Sequence, residues 1–213
     1  QGMLGGCRVY DVDKAGDVII HAVENASFNE GDTVEGEIEW PRREQLMRHH
    51  TATHIINGSA RRVLGNHVWQ HSAFKGIDKA RLDITHFSSL TDEQMAEIEK
   101  IANEKVRSAS EVKLHVLPRP EAESKYGFRI YQGGAVPQAE LRIIEIPNFD
   151  IEACGGTHVK NTSDVGEIIL LSSERIQDGV VRLTFAAGPA TEAERKRISD
   201  IIEECCEVLG VRR

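Results

Sequence analysis

The chain has 213 residues, a mass of 23.7 kDa and a formal net charge of −8, from 26 Lys and Arg against 34 Asp and Glu. With 40% hydrophobic and 28% charged residues it has the composition of a globular protein, which excludes disordered, collagen-like and low-complexity readings. The longest apolar run, 168–171, is far short of the roughly 20 residues that span a bilayer, and no basic-then-apolar signal opens the chain. Four cysteines are too few for a disulfide framework. Together these predict no membrane association and a reducing, cytoplasmic setting. The acidic balance argues against a general nucleic-acid binder, though not against a protein that handles one end of an RNA. The sequence opens on Gln1 without a start methionine, and it is expected to be a piece of a longer protein.

Residues 7–40 read as β. Segments 8–12 and 17–21 flank the polar turn 13–16. A third segment alternates Val34, Ile38 and Trp40 with Glu35, Glu37 and Glu39, the period of a half-buried strand. This predicts a small antiparallel β unit, part of a barrel. Pro41 suits the first turn of a helix, where its missing N–H costs nothing. That helix is expected to run to Leu64 and stop at Gly65, with Leu46, Met47, Ile55, Ile56, Ala60 and Val63 as its apolar stripe. Trp69, Gln70 and His71 fall in a mixed loop. A strand is expected over 80–87, then a helix for which Thr91 and Gln94 form a capping box. Strand 112–117 and a short charged helix 119–126 follow. The last third predicts strands 141–146, 167–172 and 180–186, then a helix capped by Thr191 and Glu194. The order β, then α, then mixed indicates an α+β fold.

His50 and His54 stand at i and i+4 of the first helix, a spacing that puts both imidazoles on one face, about 5–6 Å apart at Cβ. Cys154 and His158 flank the Gly155-Gly156 turn, where the backbone folds tightly enough for thiolate and imidazole to converge. Either pair alone is common on a solvated surface. Together they predict one tetrahedral zinc site tying the helical half of the chain to the β half. His49 points about 100° away from His50 and is left out of the set. The helix reads His-Thr-Ala-Thr-His, so the glutamate base of zinc proteases is absent.

Three motifs in fixed order, HTATH at 50–54, RLDITHF at 81–87 and CGGTHV at 154–159, resemble the editing domain of alanyl-tRNA synthetase and of related free-standing alanyl-tRNA editing proteins. The likeness spans about residues 8–190. Val68-Trp69-Gln70 and the phrase at 78–86 resemble the archaeal branch. In the threonyl-tRNA synthetase cousin the cysteine loop reads closer to RGPH, so Gly155-Gly156-Thr157 favours the alanyl type. The resemblance implies three regions: the β unit at 1–40 as a truncated barrel, a zinc-dependent α+β editing domain at 41–190, and a C-terminal helix at 191–213 leading to a missing region. It implies Zn2+ on His50, His54, Cys154 and His158, and hydrolysis of seryl- or glycyl-tRNA(Ala) at the aminoacyl ester. The chain would then be an aminoacyl-tRNA deacylase within an alanine-tRNA ligase. The implied partner is the acceptor end of tRNA(Ala). No ATP binds this piece, and dimerisation uses a region absent from it.

Gln70 lies where the family places a pocket residue that affects discrimination. Thr53 and Thr157 are further candidates to read a substrate hydroxyl, since a polar pocket rejects a substrate that leaves its own buried group unpaired. The N–H groups of Gly155 and Gly156 are candidate oxyanion donors. Four protein ligands make a closed shell, and whether zinc activates water or only positions substrate stays open. Asp83 and His86 are candidates to line the cleft, while His67 and His71 read as exposed loop residues. Basic clusters at Arg42, Arg43 and Arg48, at Arg61 and Arg62, and at Lys75, Lys79 and Arg81 are candidate RNA contacts. Two other readings remain: a stand-alone trans-editing enzyme, and a non-catalytic RNA-binding module stapled by zinc.

Overall fold

Period-two alternation near the N-terminus gives four short strands: β1 (Gly2–Leu4), β2 (Cys7–Ala15), β3 (Val18–Val23) and β4 (Gly36–Ile38). They form one antiparallel sheet in the order β3-β2-β1-β4. The computed structural model describes residues 1–16, 18–134 and 136–211. Asp17, placed in a strand by the sequence, lies outside them. The Gly-rich β1 was not expected, and the third predicted strand is shorter than its alternation. In this first compact unit, Gln1–Glu44, Val9 is the one fully buried apolar side chain among the described residues. Tyr10, Val18, Ile19 and Ile20 stay exposed.

The second unit, Gln45–Arg213, is α+β with two antiparallel sheets. Its first element is α1 (Trp40–Leu64), whose opening turn lies in the first unit. Ala52, Ile55, Ile56 and Ala60 of α1 are fully buried. They share one core with Leu82 and Ile84 of β6 (Ala80–Thr85), Ile98 and Ala102 of α2 (Asp92–Arg107), and Val181, Leu183 and Phe185 of β11 (Val180–Ala187). The sheet runs β10-β11-β6-β5, where β5 is Gln70–Lys75 and β10 is Ile168–Gln177. β5 corrects the loop expected around Gln70: Gln70, His71 and Ser72 are polar and give no strand alternation, and its pairing to β6 makes it a strand.

The second sheet joins β7 (Lys113–Pro118), β8 (Glu140–Ile146) and β9 (Asp150–Ala153). Its outer face packs with α3 (Arg119–Tyr126) through Ala122, Ile130, Leu141 and Ile143. α2 has the expected capping box, with the Thr91 and Gln94 side chains each serving the other's backbone. α4 (Pro189–Leu209) does not have the one expected from Thr191 and Glu194. Proline preset for a first helical turn moves the start to Pro189. The Thr191 hydroxyl then donates back to Gly188 O at 2.8 Å, and Glu194 pairs with Lys79 at 3.1 Å and Arg197 at 3.0 Å. No helix among the described residues is long and apolar enough to cross a membrane.

Candidate metal centre

One face of α1 carries His50, His54, Asn57 and Arg61, at helical offsets of four, three and four. Opposite it, Asp150, Glu152 and Cys154 alternate along β9 and its continuation, so period two points all three the same way. Cys154 N–H donates to Arg142 O at 2.9 Å, which extends the β8–β9 ladder by one residue. The two faces meet closely because Gly58 lies under Phe149, where an added Cβ would come within 2.9 Å of the ring.

His50, His54, Cys154 and His158 bring their ligand atoms within 4.8 Å of one another. Cys154 Sγ lies 3.3 Å from His50 Nε2 and 3.4 Å from His158 Nε2. Zn–S of about 2.3 Å and Zn–N of about 2.0–2.1 Å at tetrahedral angles place S and N about 3.6 Å apart, so these separations fit one zinc ion. Their supports fit as well. His158 Nδ1 is 3.2 Å from Thr51 Oγ1, whose lone pair also accepts from Val159 N–H. His54 Nδ1 sits 3.3 Å from Asp150 Oδ2 and 3.4 Å from Glu152 Oε2, close charge contacts short of an aligned hydrogen bond. Partners on Nδ1 leave Nε2 as the ligand atom, the usual arrangement behind a metal-bound histidine. Gly156 is a cradle for the third imidazole: a Cβ there would lie 2.0 Å from His50 Cε1.

The electrostatics favour a thiolate. Burial alone raises the Cys154 thiol, but the imidazoles of His158, His50 and His54 outweigh it and bring it down to about 2. Burial, then the charges of His54 and His50, lower His158 to about 3, so it stays neutral and able to ligate. His50 is also lowered, mainly by burial. His54 is raised despite burial, by Glu152, Asp150 and Cys154. Glu152 is raised by its own burial and by Asp150. Arg61 Nη1 donates to Asp150 Oδ1 at 3.1 Å, and Asn57 Nδ2 to Glu152 Oε1 at 2.7 Å.

Asn57 Nδ2 also donates to Gln132 Oε1 at 3.3 Å, and that oxygen accepts Gln70 N–H at 2.8 Å. Gln70, the predicted pocket residue, is therefore tied to His54 through Gln132, Asn57 and Glu152. Its side-chain amide makes no hydrogen bond with a described residue and lies against Gly133, 3.5 Å from where a Cβ would stand. Gly155 and Thr157 are exposed, and Gly156 is half-buried. Thr53 is buried and its hydroxyl donates to His49 O at 2.8 Å, within its own helix.

His49 is a structural pin. Its Nε2 accepts Ala187 N–H at 3.1 Å, and its Nδ1 lies 2.8 Å from Gly76 O. Asp83 is held by Arg182 and Ser72. His86 is buried against His67, whose Nε2 lies 2.8 Å from His86 Nδ1. Several basic residues expected to face RNA are committed inside the chain. Arg48 donates to Asp164 O, Arg62 to Gly58, Asn148 and Phe149 carbonyls, and Lys79 pairs with Glu194. Arg81 lies over the Phe74 ring, and Arg42 and Arg43 belong to the first unit.

Sequence reasoning missed Asp150, Glu152, Asn57, Gln132 and Arg142. Arg142 Nη1 donates to both Cys154 O, at 2.8 Å, and Gly156 O, and so shapes the ligand loop. The alternation Asp150, Glu152, Cys154 and the helical offsets from His50 to Arg61 were the signals that would have found three of the five, Asp150, Glu152 and Asn57.

Residues 141–184, which carry β8, β9 and the Cys154–His158 loop, match the family described as threonyl and alanyl tRNA synthetase second additional domain. The chain is 50% identical over 211 residues to an alanine–tRNA ligase of Methanococcus maripaludis, covering 99% of this chain and 24% of that protein. It is 50% identical over 197 residues to the Nitrosopumilus maritimus ligase, covering 92% and 22%. Identity to the Pyrococcus furiosus ligase is 48% over 205 residues, covering 96% and 22%. The resemblance to the alanyl-tRNA synthetase editing domain read from the three motifs is thus borne out, and in its archaeal form. The chain spans about a quarter of the length of these curated relatives.

Proposed function

We propose that the chain hydrolyses the aminoacyl ester of mischarged tRNA(Ala), releasing serine or glycine, with Zn2+ held by His50, His54, Cys154 and His158. The observation that carries this reading is the convergence of a thiolate and three imidazoles in a chain similar over 99% of its length to an alanine–tRNA ligase. When bound, the ion would supply fixed positive charge beside the reacting ester.

The chain's own groups have separate tasks. The amides of Gly155 and Gly156 lie on the ligand loop and have no backbone partner among the described residues, so both can donate to a developing oxyanion. The Gln70 side chain can donate and accept, which suits a serine hydroxyl or the substrate's amino group. A polar pocket of this kind favours serine, because alanine leaves the amide unpaired. Thr157 is exposed beside the loop and is a second candidate partner for substrate. Thr53 contributes packing and orientation from within α1. The partner is the acceptor end of tRNA(Ala), in the cytoplasm. ATP binding and dimerisation belong to other parts of the ligase.

The test is deacylation of seryl-tRNA(Ala) and alanyl-tRNA(Ala) by the purified chain, with and without a zinc chelator. Seryl-tRNA(Ala) is hydrolysed, alanyl-tRNA(Ala) is spared, and the chelator abolishes turnover. Four protein donors also make the closed shell of a structural site, which favours one alternative, a zinc-stapled RNA-binding module. In that case tRNA(Ala) binds and no ester is cleaved.

A further inference from the structure

Lys75 ends β5 on the strand face that Ala73 shares, and Ala73 packs against the core that α1 supplies. Phe74, on the opposite face, is 58% exposed. The next residue is anchored to α1: Gly76 O lies 2.8 Å from His49 Nδ1, one residue from His50. Lys75 is thereby carried to the His50 end of the ligand cluster and half-buried there. It feels the charges of Cys154 and Glu152, and His50 feels that of Lys75, though burial lowers the lysine overall.

The other cations around the cluster are spoken for. Arg142 is spent on the carbonyls of Cys154 and Gly156, Arg61 on Asp150, and Arg62 on three carbonyls. Lys75 makes no hydrogen bond or ion pair with any described residue. A half-buried ammonium with no direct ion pair is costly: Cys154 and Glu152 act on it only through their charges, and its natural direct partner is an anion that arrives with the substrate.

We propose that Lys75 is a catalytic residue whose ammonium stabilises the oxyanion formed during ester hydrolysis. The inference rests on the deacylase reading above. Water oxygen attacks the ester carbonyl carbon, and the carbonyl π pair moves to its oxygen, which becomes the oxyanion beside Lys75 Nζ and the Gly155 and Gly156 amides. The pair then returns, the bond from carbon to the ribose oxygen breaks, and that oxygen takes the proton the water gives up. Free amino acid and a ribose hydroxyl result. The Cys154 thiolate would offset part of the ion's charge, so a side-chain ammonium adds to the positive charge facing the oxyanion, and Lys75 is the one without a direct ion pair among the described residues.

The experiment compares wild type, Lys75→Met and Lys75→Arg for zinc content, for kcat and KM on seryl-tRNA(Ala), and for binding of two adenosine esters' mimics. One is a serine phosphonate carrying the oxyanion's charge and the other an uncharged serine amide. We expect unchanged zinc in all three and a kcat of Lys75→Met lower by about 10²-fold, the scale of losing one oxyanion donor. KM should stay within about threefold, since only the transition state loses a contact. Phosphonate binding weakens by at least tenfold and amide binding does not, and Lys75→Arg recovers part of both losses. A loss confined to KM, equal weakening of both mimics, loss of zinc, or wild-type kinetics in Lys75→Met would each overturn the inference. A wild-type chain that cleaves no ester overturns the deacylase reading instead.

Discussion

His50, His54 and His158 surround a thiolate, whereas His67 and His86 face each other and the ring of Phe87, which is 72% exposed. Both clusters bring imidazoles into contact within one unit, and both begin from histidines close in sequence or across one strand. In the first, every ring but that of His50 has its Nδ1 engaged by Thr51 or by the Asp150 and Glu152 carboxylates, and Gly156 makes room for the His50 ring. In the second, one ring nitrogen of each histidine is used on the other, and His86 Nε2 lies 3.3 Å from Ser88 Oγ. Among the described residues no acid forms an ion pair with either ring, and the one charge that shifts His86 is that of His67. Histidines become a ligand set when surrounding anions and donors fix their tautomers and aim the free nitrogens at one point.

The largest effect that sharpens this contrast is expected from Cys154→Ala. Removing the thiolate should lower zinc from one per chain to near zero, with a melting temperature equal to that of chelated wild type. Elemental analysis and calorimetry on one preparation check it, and retained zinc would mean that three imidazoles suffice. Gly156→Ala comes next, because its methyl group occupies the place of the His50 ring. Zinc affinity should fall by about 100-fold, the upper end for a support residue, while the apo chain keeps its circular dichroism. Competition with a chromophoric chelator reads the affinity directly.

Glu152→Gln keeps the shape but removes one charge behind His54, and zinc should bind about tenfold more weakly. Unchanged affinity would assign that role to Asp150 alone. The smallest effect is expected on the other cluster. His86→Asn should leave zinc untouched and cost about 0.5–1.5 kcal/mol for the lost contact, read by urea denaturation. Its pH dependence carries a sign. His86 is held below its ordinary value, first by burial and then by the charge of His67. The folded chain therefore takes up this proton later than the unfolded one, and stability declines as pH falls from above 6.5 towards the folded value. In His86→Asn that part of the decline should disappear.

Much of the second unit was legible because its signals are local. Apolar offsets and Gly65 bounded α1 closely, and Thr91 with Gln94 gave α2 its start. α3 matches its expected bounds because Pro118 and Pro120 bracket its start and Gly127 its end. β5 was missed because it opens on three polar residues and shows no clean alternation, and β9 because its buried positions, Asp150 and Glu152, are the polar ones. Thr191 and Glu194 carried the right letters for a cap, but Pro189 had already opened the helix, and Lys79 from another element claimed the glutamate.

Within the site, the spacing of His50 and His54 and the glycine turn between Cys154 and His158 were enough to name the four residues that the structure brings together, because helix geometry and turn chemistry act over a few residues. That Asp150 and Glu152 back His54 and that Asn57 and Gln132 tie Gln70 to the same cluster was decided only when β9 docked on α1, and that His49 serves as a pin only when Gly76 and Ala187 came against it. Those contacts join residues 27 to 138 positions apart, and their energies depend on burial that no local pattern encodes. The same docking gave Arg61 a directly paired carboxylate and left Lys75 with no direct ion pair among the described residues, a difference that two basic residues on a sequence do not display.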